Sequence, residues 1–267
     1  MIKRVKLFVS DNEESKKTSI FIKEKLIKSG FIIDDEKYDL GIAVGGDGTF
    51  LRMIKTNNFD SNTYYVGVNT GTLGFLQEVK VGEIEEFVEE LKQKLYKVDE
   101  VGVQETIIKH NNESSMFYSL NEIIIRNADL KAVNLDIKID DDLLERFIGD
   151  GILVATSIGS TAHNLSLGGS IVYNTFSSLQ ITPIAPINSK VYRSLINSVI
   201  IPDKKEIEII PCKDKNNLIV TIDGENNLYD NVENIETKID EKKLKFLRLS
   251  HYNFSQKINE KLLDNQK

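Results

Sequence analysis

The stretch Leu40-Gly41-Ile42-Ala43-Val44-Gly45-Gly46-Asp47-Gly48-Thr49 runs from a nearly uniform apolar segment straight into a glycine-dense loop. An apolar run of that length reads as a strand covered on both faces. The glycines after it permit a sharp turn with positive φ and let phosphate oxygens approach the backbone amides. A helix opening at Thr49 adds unpaired N–H groups and a dipole that favours an anion. Asp47, a carboxylate at the centre of such a loop, is the anomaly. Phosphate repels it unless it handles a proton or stands near a divalent cation. The plainer reading is a strand-to-helix turn in which Asp47 caps the helix. The loop is neither a P-loop, since no Gly-Lys-Ser/Thr follows, nor a dinucleotide fingerprint, since the third glycine and its spacing are absent.

Outward from this loop, the first third alternates strands and helices. Val5 to Val9 is a short strand, and Ser15 to Ser29 has near-helical apolar spacing closed by Gly30. Phe31 to Ile33 and Tyr64 to Val68 are further strands, and Thr49 to Lys55 a helix. Such alternation predicts a parallel sheet with helices on its faces. Glu83 to Tyr96 is the clearest helix, with Ile84, Phe87, Val88, Leu91 and Leu95 on one face. Beyond it the period changes from 3.6 to 2. Val101 to Lys109, Phe117 to Arg126, Val133 to Ile139, Ile152 to Thr156, Ile207 to Ile210, Leu218 to Ile222 and Lys243 to Leu249 all read as strands. The shift predicts an α/β domain over residues 1–98 and a mostly-β sandwich domain over 99–250. Residues 251–267 are expected to form a C-terminal helix packing back on the first domain.

The 267 residues carry a net charge of -7, 40% hydrophobic and 28% charged residues, and a single cysteine. That is the composition of a folded protein with one large or two ordinary domains. One cysteine forms no internal disulfide, and three scattered histidines give no zinc spacing, so no metal-ligand set is expected. The acidic balance argues against a nucleic acid partner. No apolar stretch reaches the ~20 residues of a membrane span, and the N-terminal apolar run is too short for a signal peptide. A cytoplasmic protein with no membrane partner is expected.

Gly45-Gly46-Asp47-Gly48-Thr49 resembles the signature loop of the NAD kinase family, a loop that diacylglycerol and sphingoid-base kinases share in similar form. Three later segments separate these relatives. They are Asn69-Thr70-Gly71-Thr72-Leu73-Gly74-Phe75-Leu76, Leu120-Asn121-Glu122, and Gly149-Asp150-Gly151 leading into Thr156 to Ala162. Each resembles an NAD kinase motif, in the family's order, over nearly the whole chain.

The resemblance implies an N-terminal α/β domain and a C-terminal β-sandwich with the dinucleotide in the crevice between them. It implies transfer of the ATP γ-phosphoryl group to the adenosine ribose 2′-hydroxyl of NAD, giving NADP, with Mg²⁺ or another divalent cation. Asp47 would be the catalytic base. Gly45, Gly46, Gly48, Thr49 and Arg52 would face phosphate. NAD contacts would come from Asp47, Gly48, Phe75, Asn121, Glu122, Arg146, Asp150, Thr161, Ala162, His163, Asn164, Ser166 and Ala185. Asp223-Gly224 stands where the family has a late aspartate turn. A neighbouring subunit can complete the family's site, so a homodimer or homotetramer is expected; whether ATP or polyphosphate is the donor stays open.

The residues themselves allow plainer readings beside these. Asn121-Glu122 interrupts an apolar strand, which is costly unless a ligand or a neighbouring loop bonds the pair. Ser157 to Ser166 also suits a serine-rich helix start without a ligand. Two positions depart from the family pattern: His163 replaces a stacking tyrosine, and Ile148 replaces an arginine for which Arg146 is a nearby substitute. A lipid kinase using the same loop, and a dinucleotide sensor without catalysis, are the alternatives.

Overall fold

A computed structural model describes residues 2–71, 74–213 and 216–264. Thr72 and Leu73 of the Asn69 to Leu76 motif lie outside the described residues, as do 265–267 of the terminal segment. The chain forms two compact units, Met1–Val101 with Lys243–Lys267, and Gly102–Lys242.

The first unit starts with β1 (Arg4–Val9), α1 (Glu13–Lys28), β2 (Ile32–Ile33), β3 (Leu40–Gly45), α2 (Asp47–Thr56), β4 (Tyr64–Asn69), β5 (Val79–Lys80) and α3 (Ile84–Gln93). Its strands are parallel, in the order β2-β1-β3-β4, with Val9 opposite Val44 and Gly45 opposite Asn69. The register brings the carboxyl ends of β1, β3 and β4 level, which is where open α/β sheets bind ligands. β3 is buried along its entire length, as its apolar sequence requires. Its Ile42 and Val44 join Val5, Ile22, Leu26, Val66, Val68, Ile84 and Phe87 in one core. Helix α2 starts at Asp47 and not at Thr49, so the aspartate lies in its first turn behind the N-cap Gly46. Helix α3 stops at Lys94, which adopts the left-handed conformation with φ 61°. Leu95, placed by periodicity on the apolar face, falls beyond this stop and is exposed.

The second unit takes most of β6 (Lys97–His110), then β7 (Glu113–Ser119), β8 (Glu122–Asn127), β9 (Val133–Ile139), β10 (Asp142–Gly149) and β11 (Gly151–Thr156). It continues through a 3-10 turn (Ile158–Thr161), α4 (His163–Ser166), β12 (Ser178–Ile184), β13 (Val199–Pro202), β14 (Ile207–Pro211), β15 (Asn217–Ile222), β16 (Glu225–Asp230) and most of β17 (Val232–Arg248). One sheet of this unit runs β10-β9-β14-β17 with β6 and β7 beyond; the other runs β13-β12-β11-β8-β15-β16. Ile123, Ile125, Ile152, Val154 and Val220 of the second meet Leu135, Ile137, Phe147, Ile207 and Ile209 of the first in one core, which is a sandwich.

The single strand expected from Phe117 to Arg126 is two, β7 and β8, broken at Leu120-Asn121. Strands β10, β12, β13 and β16 are absent from the period-2 reading. β12 contains Pro183, which lies past the end of β13's pairing at Ile181, where the ladder needs one fewer donor. β16 is the polar run Glu225 to Asp230 at a sheet edge, held by pairing to β15 and not by an apolar pattern.

The last residues of β17 return to the first unit, where Lys245 and Phe246 pair parallel with Tyr64 and Tyr65 of β4. There α5 (Phe254–Ile258) follows, continued by a π-helical turn, Asn259–Leu263. Among the described residues no helix is long and apolar enough to cross a membrane.

Candidate active site

In the first unit the chemistry gathers where β3 passes into α2. Gly46 and Gly48 are exposed, with no heavy atom within 4 Å of where a Cβ would stand, so the backbone there is open to a ligand. The half-buried Asp47 does not cap its helix. Its Oδ2 accepts the Phe75 N–H at 2.7 Å and its Oδ1 the Leu76 N–H at 3.0 Å. Charge-assisted bonds of this kind are about twice as strong as neutral ones and fix the carboxylate in place. Gly74 makes the grip possible, since a Cβ there would lie 1.8 Å from Asp47 Oδ1.

The surroundings of the loop are also tied down. Thr49 is buried, and its N–H bonds Gly46 O at 2.9 Å. Arg52, on the exposed side of α2, donates from Nη2 to Val9 O at 2.7 Å, which lays its guanidinium over the end of β1. Asn69 Nδ2 bonds Gly71 O at 2.8 Å, and Thr70 pairs its hydroxyl with Ser15 at 2.7 Å. Phe75 is half-buried, its ring 5.5 Å from the Lys261 ammonium.

In the second unit the hairpin turn between β15 and β16 is the organiser. Asp223 stands in the left-handed region, φ 45°, followed by Gly224 at φ 87°. Its carboxylate accepts the N–H groups of Leu120 at 2.7 Å, Asn121 at 2.8 Å and Glu122 at 3.2 Å. These bonds explain the break between β7 and β8, because the amides face the aspartate instead of a neighbouring strand. Asn121 and Glu122 are both buried. Gly159 packs directly on Asn121, where a Cβ would lie 1.9 Å from its carbonyl oxygen. Glu122 Oε2 is buried without a hydrogen-bond partner among the described residues. Burial, and then the charge of Asp223, push the Glu122 carboxyl up to about 8, slightly opposed by the His163 N–H. At neutral pH this group holds its proton, so it can donate as well as accept.

The turn from β11 into α4 lies beside this pair. Thr156 Oγ1 donates to Leu120 O at 2.6 Å and accepts the Gly159 N–H at 3.0 Å. Thr161 and Ala162 are half-buried, while His163 and Ser166 are exposed. Asn164 is fully buried: its Nδ2 bonds Ser160 O at 3.2 Å and Ser170 O at 3.4 Å, and its Oδ1 accepts from Thr182 at 2.6 Å. Asp150 is exposed on the β10–β11 turn and its N–H bonds Ile184 O at 2.9 Å. Ala185 follows at φ 44°. Arg146 is held by Asp136 across β9 and β10, Nε to Oδ1 at 2.7 Å and Nη2 to Oδ2 at 2.9 Å. That pairing raises the arginine pKa still further.

Two residues of consequence show their partners only in three dimensions. Asp223 has a sequence signal, an Asp-Gly turn after a strand, but its bonds to residues 120–122 span over a hundred positions. Lys257 has none: it sits in α5 and is nonetheless buried. Glu86, Glu90 and His251 also bring one ligand atom each within 4.8 Å of one another, although Glu90 is already engaged by the Ser250 N–H at 3.0 Å.

Residues 5–97 match the model of the ATP-NAD kinase N-terminal domain, and residues 120–248 that of the C-terminal domain. An NAD kinase of Finegoldia magna is 40% identical over 239 residues, 86% of this chain and 87% of the relative. One from Streptococcus pneumoniae is 35% identical over 263 residues, 97% and 95% of the two chains. Among solved structures, yeast NADH kinase complexed with NADH has a TM-score of 0.87 at 22% identity, covering 100% of this chain and 89% of that one. An NAD kinase from Archaeoglobus fulgidus in complex with ATP has a TM-score of 0.74 at 24% identity, covering 91% and 92%. The structural likeness speaks for the fold, while the sequence relatives and the two family models together cover the loop, the Asn-Glu break and the turn into α4: the chain belongs to the NAD kinase family.

Proposed function

We propose that the chain transfers the γ-phosphoryl group of ATP to the 2′-hydroxyl of the adenosine ribose of NAD, with Asp47 as the base. The observation that carries this reading is the Asp47 carboxylate, fixed by the Phe75 and Leu76 amides beside the open glycines of α2. Each carboxylate oxygen accepts one N–H there and keeps a second lone pair for a hydroxyl proton. In the transfer, the 2′-oxygen gives its proton to Asp47 and forms the new P–O bond. The bond from the γ-phosphorus to the bridging oxygen breaks, and ADP leaves. Positioned bases of this kind contribute about 10²–10⁴-fold.

The backbone of Gly45, Gly46, Gly48 and Thr49 receives phosphate, with Arg52 at the flank. The loop supplies one carboxylate, which suits a divalent cation carried by the nucleotide, since Mg²⁺ is usually held by one or two carboxylates plus substrate phosphates. That cation, when bound, neutralises charge on the phosphates.

In the second unit, Asn121 and the protonated Glu122 meet the NAD ribose and adenine region. Thr161, Ala162, His163 and Ser166 line the dinucleotide, and Asp150 and Ala185 meet the nicotinamide end. Asn164, whose amide is engaged internally, holds the shape of that loop. Arg146 contributes through its pair with Asp136. The protein works in the cytoplasm as a homodimer or homotetramer.

Incubating purified protein with NAD, ATP and Mg²⁺ and reading NADP through a coupled dehydrogenase tests the proposal. Asp47→Asn should lower turnover at least 100-fold while NAD still binds. Near-normal turnover in that variant removes Asp47 from the mechanism.

A further inference from the structure

Lys257 is a buried cation that its own neighbourhood does not demand. It lies in α5 with 8% of its surface exposed, and its Nζ donates to the backbone oxygen of Gln77. Burying an ammonium is costly even after relaxation, so an apolar side chain is the cheaper occupant of such a place. Nor is Lys257 needed to pair Glu78. That carboxylate already has Arg248 Nη1 at 3.2 Å and the Leu249 N–H at 3.1 Å, with Lys257 Nζ further off at 3.7 Å.

What the ammonium does hold is the segment 74–78, gripped along its length. Gly74 lies against the Asp47 carboxylate, and the Phe75 and Leu76 amides bond its two oxygens. Gln77 is fully buried, with its side chain against Gly67, and gives its carbonyl to Lys257. The Glu78 N–H bonds Gly67 O at 2.9 Å, and its carboxylate is clamped by Arg248 and Leu249. The Gln77 carbonyl thus belongs to the second peptide after the one whose Leu76 N–H holds Asp47. Without Lys257 that carbonyl loses its cationic partner in a buried place, and the segment gains freedom to draw away from the aspartate.

We propose that Lys257 is a positioning residue for the phosphoryl transfer, acting through the Gln77 carbonyl on the peptide segment that holds the Asp47 carboxylate. This rests on Asp47 being the base.

The charged groups that face Lys257 come from every element around it: Arg248 of β17, Glu78 of the held segment, Asp47 of α2, and Glu260 and Lys261 of the terminal turn. The Tyr252 ring lies 5.4 Å from the ammonium. Burial, then Arg248, lower the Lys257 pKa to about 8, against the pull of Glu78 and Asp47. The contact is therefore strongest below pH 8 and weakens as pH rises through it.

The test is the pH profile of NADP formation for wild type, Lys257→Met and Lys257→Arg, with circular dichroism and melting temperature as the check on folding. The expected results are a fall of wild-type kcat through about pH 8, and a kcat about 10–100-fold lower in Lys257→Met with KM for NAD within about twofold. Lys257→Arg, whose charge persists, should recover most of the turnover and show a smaller alkaline fall, any remainder belonging to Glu122, which also titrates near 8. A Lys257→Met enzyme with wild-type kcat and profile overturns the inference. If Lys257→Met does not fold, a wild-type profile flat across pH 7–9, or an alkaline fall unchanged in Lys257→Arg, overturns it instead. A wild-type protein that makes no NADP contradicts the assignment of the reaction, which is a separate result.

Discussion

At the scale of single residues, two carboxylates have opposite surroundings. Asp47 is bonded by backbone amides, while Glu122 is buried with an oxygen that has no partner among the described residues. The second arrangement has a measurable consequence for stability. The folded Glu122 keeps its proton up to about pH 8, whereas an unfolded glutamate loses it near 4.5. Between those values the native state binds more protons, so stability falls as pH rises, by up to about 1.4 kcal/mol per pH unit. Denaturant midpoints from pH 5 to 8 should therefore decline more steeply in wild type than in Glu122→Gln; equal slopes would place the ionised form in the folded protein. The residue identities were plain in the sequence. Their environments were not, because Asp223 reaches residues 120–122 only once β15 and β8 pair.

At the scale of elements, local chemistry explains where helices start and stop. Helix α1 has Asn12 at its N-cap, accepting the Ser15 N–H at 2.7 Å, with Glu13 and Glu14 in the first turn and Lys25 and Lys28 in the last. Asn12→Ala should cost about 1 kcal/mol and lower the melting temperature by about 2–4 °C, with NADP formation unchanged. A thermal melt alongside the coupled assay checks both halves. The alternation of β9 and β15 was legible for the same local reason, since one sheet face is buried and the pattern must repeat every second residue, while β8 and β11 were legible as apolar runs buried on both faces. β12, β13 and β16 were not, because a proline, a short edge and a run of polar residues mask strands that exist through pairing with neighbours.

At the scale of the molecule, a chain of net charge -7 handles two polyanionic nucleotides. On the proposed reading, attraction comes from local groups, the open amides of α2 and the cation that accompanies ATP, instead of from a long-range field. Binding to the native state alone adds stability by mass action. NAD at a hundredfold its Kd should contribute about 2.7 kcal/mol and raise the melting temperature by about 5 °C or more, as a thermal-shift titration would record. No shift at saturating NAD would contradict the proposed dinucleotide site.

The sequence by itself determined the glycine loop with its aspartate, the alternation that makes one unit α/β, the period-2 runs that make the other a sandwich, and the family. Those features are encoded by neighbours a few residues apart, through backbone freedom at glycine and the periodicity of burial. Only the tertiary structure decided which groups hold the candidate site residues in place: the Phe75 and Leu76 amides on Asp47, Asp223 on the Asn121-Glu122 break, and Lys257 on Gln77. Each is a bond between segments from 28 to 180 positions apart. No local propensity marks such partners, because the bond's worth depends on burial that exists only after the segments have met.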